Sequence, residues 1–124
     1  MNFTTDEQEK YALLRLDEDK LNSTISSELK SEFITLHTKG FKSLIFDMSR
    51  VKYADSSGLS SILAGDRLCR DSGGIFVLAA PKEHVLKLIR ISQLDTVLNL
   101  LPTVEEAVDA VFMYEIENEL RGEA

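Results

Sequence analysis

A chain of 124 residues with a hydrophobic fraction of 44% is long enough to bury one core and too short for two domains. Its net charge of −7 would be repelled by nucleic acid and by anionic membrane, and favours a partner with a basic face. One cysteine, Cys69, excludes an internal disulfide and points to a reducing, cytosolic setting.

The N-terminus carries Asp6, Glu7 and Glu9 where a signal peptide would need basic and then apolar residues, so export is not expected. The longest apolar run, Ile75 to Pro81, is strand-sized and cannot span a bilayer. Asn2 to Thr5 is a weak first strand, and Tyr11 to Leu16 a stronger one, with Asp6 to Lys10 polar enough for a hairpin turn. After a charged loop from Asp17 to Lys20, Ile25, Leu29, Phe33 and Leu36 recur at helical spacing. That predicts an amphipathic helix capped by Asn22 or Ser23 and ending near Gly40. Ser43 to Met48 reads as a buried central strand, and Ser49 to Ala54 leads out of it.

Next comes Tyr53-Ala54-Asp55-Ser56-Ser57-Gly58-Leu59, followed by Ile62, Leu63, Leu68 and Cys69 at helical spacing. A second helix is therefore expected from near Ser57 to Asp71 or Ser72, with Asp55 or Ser56 as its cap and Gly73-Gly74 as its stop. Cys69 falls on its apolar face and reads as a buried small hydrophobe. Ile75 to Ala79 is the next buried strand, and Pro81 suits the first turn of a third helix with Val85, Leu88 and Ile89 on one face. Thr96 to Leu100 reads as a short last strand. Thr103 to Glu106 fits a capping box opening a fourth helix, with Val104, Ala107, Val108, Val111 and Phe112 inward and a solvated acidic end from Glu115 to Glu123. The fold class is α/β: a mixed sheet of about five strands, parallel at its centre, with four helices. No repeat, low-complexity tract or linker interrupts it. In such sheets partners meet the carboxyl ends of the strands, where Asp55 to Gly58 and the loop at Asn22 would lie.

By spacing alone, Asp-Ser-Ser-Gly between strand and helix is a capped turn. Its place after an apolar strand and before Leu-x-x-Ile-Leu resembles the STAS domain of bacterial anti-sigma factor antagonists (anti-anti-sigma factors). The similarity runs from about Phe3 to Phe112, within a single domain over residues 1–124 whose helical tail reaches the C-terminus. The resemblance implies that Ser57, the second serine, accepts phosphate from a partner kinase. Asp55 would cap the turn and help position the hydroxyl, although a cap alone would suit it equally. Ser56 is the neighbouring hydroxyl, a cap or the alternative acceptor, and Gly58 permits close approach. Leu59, adjoining the site, fits core better than interface. At Asn22 the better-known antagonists carry aspartate, so recognition or rate of phosphorylation is expected to differ here.

Catalysis by the chain itself is not expected. A serine hydrolase would read Gly-x-Ser-x-Gly, whereas Asp55 and Leu59 flank Ser57, and His37 and His84 fall away from the motif's edge. Asp47 ends a strand as a receiver-domain acceptor would, but the late strand offers no lysine. No ATP-binding loop and no metal-ligand spacing is present in the sequence. ATP and Mg²⁺ would be supplied by the partner, an anti-sigma factor that is also a serine kinase. A phosphatase would restore the protein, itself a monomer or weak dimer. The alternative is a STAS subunit of a transport or signalling complex, or a small-ligand-binding STAS module.

Overall fold

The computed structural model describes residues 1–122. The chain runs through β1 (Phe3–Glu7), β2 (Ala12–Leu16), β3 (Lys20–Leu21), α1 (Ser26–Thr38), β4 (Leu44–Asp47), β5 (Tyr53–Ala54) and α2 (Ser56–Asp71). It continues through β6 (Phe76–Ala79), α3 (Glu83–Ile91), β7 (Asn99–Leu101) and α4 (Val104–Leu120). Five strands form one sheet in the order β1-β2-β4-β6-β7, antiparallel only at β1–β2 and parallel elsewhere. The expected mixed α/β sheet with four helices is the observed one.

Alternation along β2 shows how this sheet is wrapped. Ala12, Leu14 and Leu16 point to one face and are buried, joining Leu29, Phe33 and Leu36 of α1, Ile62 and Cys69 of α2, and Val85 and Ile89 of α3. β4 and β6 are buried at every position because both faces are covered, the signature of central parallel strands. The second face carries a smaller core of Tyr11, Ile45, Val77 and Ala79 under Ala107 and Val111 of α4. Phe33 centres the larger core, meeting Phe46 and Phe76 edge-on with ring centroids 5.4 and 5.5 Å apart. Burial pushes the Cys69 thiol up to about 12, and the Asp66 charge adds to this against a bond to the Leu44 backbone.

Several boundaries differ from the sequence expectation. The first helix starts at Ser26 after a turn over residues 22–25 and has no side-chain cap. Asn22 instead accepts from the Thr24 N–H at 3.0 Å and from the Thr24 hydroxyl, an Asx turn that precedes the helix rather than capping it. Pro81 lies just before Lys82, the N-cap of α3, so it leads the helix in without belonging to it. Thr96, expected to start the last strand, instead ends a 3₁₀ turn at Leu94–Thr96, and the strand runs from Asn99 to Leu101. Thr103 caps α4 through the Glu106 N–H at 3.1 Å. Phe112 was expected inward but is exposed, its ring meeting that of Tyr11 at nearly a right angle. The helix carries the acidic end as far as Leu120, and Glu123 lies outside the described residues.

Candidate functional site

The strands β3 and β5, two residues each, were not expected as strands (Lys20 was placed in a charged loop, Leu21 at a helix entry and Tyr53–Ala54 in the lead-in to the motif), yet they build the site. They pair in parallel, Lys20 opposite Tyr53 and Leu21 opposite Ala54. The ribbon continues one step further, because the Asp55 N–H donates to the Leu21 carbonyl at 3.2 Å. That bond sets Asn22 beside the start of α2, so the two loops share the carboxyl edge of the sheet. A cleft of about 450 Å³ opens there, lined by Asp17, Glu18, Asp19, Lys20 and Asn22 among others.

Asp55 has extended backbone (φ −115°, ψ −172°), and its carboxylate accepts from the Gly58 N–H at 3.0 Å. Its carbonyl accepts from the Leu59 N–H at 3.0 Å. This is an N-cap, made by the residue type that serves best there. Among the described residues the N–H groups of Ser56 and Ser57 find no acceptor, and both lie at the positive end of the helix dipole. Ser56 is exposed and Ser57 half-buried, and among the described residues no hydrogen bond engages the Ser57 hydroxyl. Ser57 thus presents an unengaged oxygen on the first turn of α2, beside two free donors.

Gly58 and Leu59 turn inward instead. A Cβ on Gly58 would lie 2.5 Å from the Leu21 carbonyl oxygen and 2.8 Å from Leu21 Cγ. The close approach that this glycine permits is therefore made by the chain's own β3. Leu59 is buried in the larger core, so it supports the helix from beneath and offers no surface to a partner. Ser61 is buried too, its hydroxyl donating to the Gly58 carbonyl at 2.7 Å.

Sequence reasoning missed one neighbour. His84, set apart from the motif on the sequence, lies in the first turn of α3 and meets the exposed Tyr53 ring edge-on at 5.1 Å. A short loop after β6 brings α3 back to the same edge, and that crossover was the available signal. His37 does lie elsewhere, at the far end of α1, where its Nε2 contacts the Ser72 hydroxyl. Asp47 accepts from the Ser49 N–H at 2.9 Å and closes its strand. Among the described residues no group of three His, Cys, Asp or Glu could hold a metal ion, and no helix is long and apolar enough to cross a membrane.

The pattern of the STAS domain matches residues 2–107. A relative from Thermotoga maritima, provisionally named an anti-sigma factor antagonist, is 30% identical over 73 residues, 59% of this chain and 65% of its own length. The chain thus matches just under two thirds of that relative. A crystal structure of a protein provisionally given that name, also from Thermotoga maritima, superposes with a TM-score of 0.78 at 25% identity, covering 88% of this chain and 93% of that one. The anti-sigma factor antagonist SpoIIAA in its unphosphorylated form shares the fold at a TM-score of 0.73 and 21% identity, over 99% of both chains. The phosphorylated form of SpoIIAA from Bacillus gives 0.69 at 23% identity, over 89% of this chain and 99% of that one.

Proposed function

This chain belongs to the STAS domain family, and from that footing we propose that it is an anti-sigma factor antagonist switched by phosphorylation of Ser57. In the unphosphorylated state it binds an anti-sigma factor with serine kinase activity and so releases a sigma factor. Transfer of the γ-phosphoryl group of ATP to Ser57 ends that binding, and a phosphatase reverses the change. The protein is the substrate of this chemistry and needs no cofactor of its own.

The observation that carries the reading is the Ser57 hydroxyl on the first turn of α2, which, like the N–H groups of Ser56 and Ser57 beside it, has no hydrogen-bond partner among the described residues. A phosphate there brings about −1.5 to −2 charges, which those donors and the helix dipole hold without disturbing the fold. A docked partner does not tolerate the same group, since it adds bulk, hydration and repulsion beside the Asp55 carboxylate. A loss of about 3 kcal/mol lowers affinity more than a hundredfold. Ser56, exposed on the same turn, is the neighbouring hydroxyl and the alternative acceptor. Tyr53 and His84 extend the same edge and give a partner an aromatic surface to pack on.

Incubation with the cognate kinase, ATP and Mg²⁺ should add one phosphate, mapped to Ser57 by mass spectrometry. Ser57→Ala should keep the partner bound in the presence of ATP. Ser57→Asp should weaken the complex while leaving the thermal melt nearly unchanged. Phosphate on another residue, or unfolding of Ser57→Asp, would refute the assignment.

A further inference from the structure

Among the described residues, four of the eight large apolar side chains left exposed lie on α4: Phe112 (46%), Met113 (56%), Ile116 (49%) and Leu120 (83%). Phe112, Ile116 and Leu120 are four residues apart and form one row, with Met113 beside it. The row lies outside Ala107 and Val111, which are fully buried against the sheet. It is continuous with the sheet surface, because Phe112 meets Tyr11 edge-on at 6.3 Å. A helix apolar on its inner and outer sides is built to be covered on both.

Charge decides what covers the outer side. The helix carries Glu105, Glu106, Asp109, Glu115, Glu117 and Glu119 and no Lys or Arg of its own between Val104 and Leu120, with Arg121 at the C-cap 3.9 Å from Glu117. A second copy would set these carboxylates against their equivalents, in a chain already at −7. An anionic membrane would be repelled in the same way. We infer that the outer face of α4 docks a basic amphipathic helix of a partner protein, its apolar side on Phe112, Met113, Ile116 and Leu120 and its Lys or Arg side chains against the flanking carboxylates. The surface lies across the sheet from α1 and α2, so it is separate from the Ser57 site and does not depend on the function proposed for it.

The probe is a fluorescent synthetic peptide of about 17 residues, the length of α4. It carries Leu at helical spacing with Lys at the other positions, and is compared by anisotropy with a scrambled peptide of the same composition. The amphipathic peptide should bind at least ~10-fold more tightly than the scrambled one. Phe112→Glu combined with Ile116→Glu should abolish that difference. Glu115→Lys combined with Glu119→Lys leaves the apolar row intact and should weaken binding. Ser57→Asp should bind like the original chain. None of these side chains is buried, and unchanged circular dichroism and melting confirm the fold. Equal binding of the two peptides, or no effect of the Phe112/Ile116 pair, would overturn the inference. So would sedimentation showing a dimer that the Phe112/Ile116 pair dissolves, since the face would then belong to a second copy.

Discussion

Replacing Gly58 by alanine should destabilise the protein, although in most helices the same change would do the opposite. Alanine is favoured over glycine within a helix by about 1 kcal/mol. No left-handed backbone holds Gly58 here, so conformation alone would allow the gain. Space forbids it. The new methyl would lie 2.5 Å from the Leu21 carbonyl oxygen and 2.8 Å from Leu21 Cγ, and the nearer obstacle is backbone rather than a side chain that could swing aside. Overpacking costs about 1–3 kcal/mol. Moving β3 away would also stretch the 3.2 Å bond from the Asp55 N–H to the Leu21 carbonyl, whose net worth is about 1 kcal/mol. These terms outweigh the propensity gain by about 1–3 kcal/mol, and at this chain length each kcal/mol corresponds to roughly 3–5 °C in Tm. Calorimetry and urea titration of Gly58→Ala beside the parent should show that loss. A variant as stable as the parent, or more stable, would refute the packing argument and free Gly58 to face a partner.

Asp55→Ala removes the bond to the Gly58 N–H and should cost about 1 kcal/mol in urea unfolding, with Asp55→Asn keeping most of it. Phe33→Ala empties the meeting point of three aromatic rings and should cost about 3–5 kcal/mol in the same assay. Cys69 is neutral in the folded state to about pH 12 but ionises near 9.0 once unfolded. Its contribution to stability is therefore complete below pH 9 and is lost as pH rises toward 12, so Cys69→Ala should fall less steeply over that window. The native thiol should also resist a disulfide reagent at pH 8 and react only after unfolding. Prompt reaction in the native state would contradict its burial.

The sheet and its helices were legible because apolar periodicity is a signal that burial on one or two faces writes into every residue of an element. Ala12 to Leu16, Leu44 to Asp47 and Phe76 to Ala79 show it clearly. β3 and β5 were not legible, since two residues leave no period to read and their pairing is fixed by distant backbone, Leu21 against Ala54. The cap at Asp55 was readable from residue type. That at Asn22 was misread, because an Asx turn and a helix cap use the same side chain and differ only in where the next carbonyls go. The inward turn of Gly58 needed coordinates, as did the meeting of His84 with Tyr53. Phe112 was assigned inward by spacing, but one helix over this narrow sheet leaves the flank of α4 uncovered.

The two borders of the main sheet are built differently. β7 is three residues long and ends against Pro102, which has no N–H to extend a ladder. β1 is longer and pairs on one side only, but Asp6 and Glu7, the latter bound to Lys39 at 2.9 Å, stand at its end, where an incoming strand would have to desolvate charged side chains. Such borders resist edge-to-edge stacking of identical chains, the first step toward amyloid-like fibres. Neutralising Asp6 and Glu7 would remove that guard without touching either core, so aggregation on storage could worsen in a protein whose melting point had not changed.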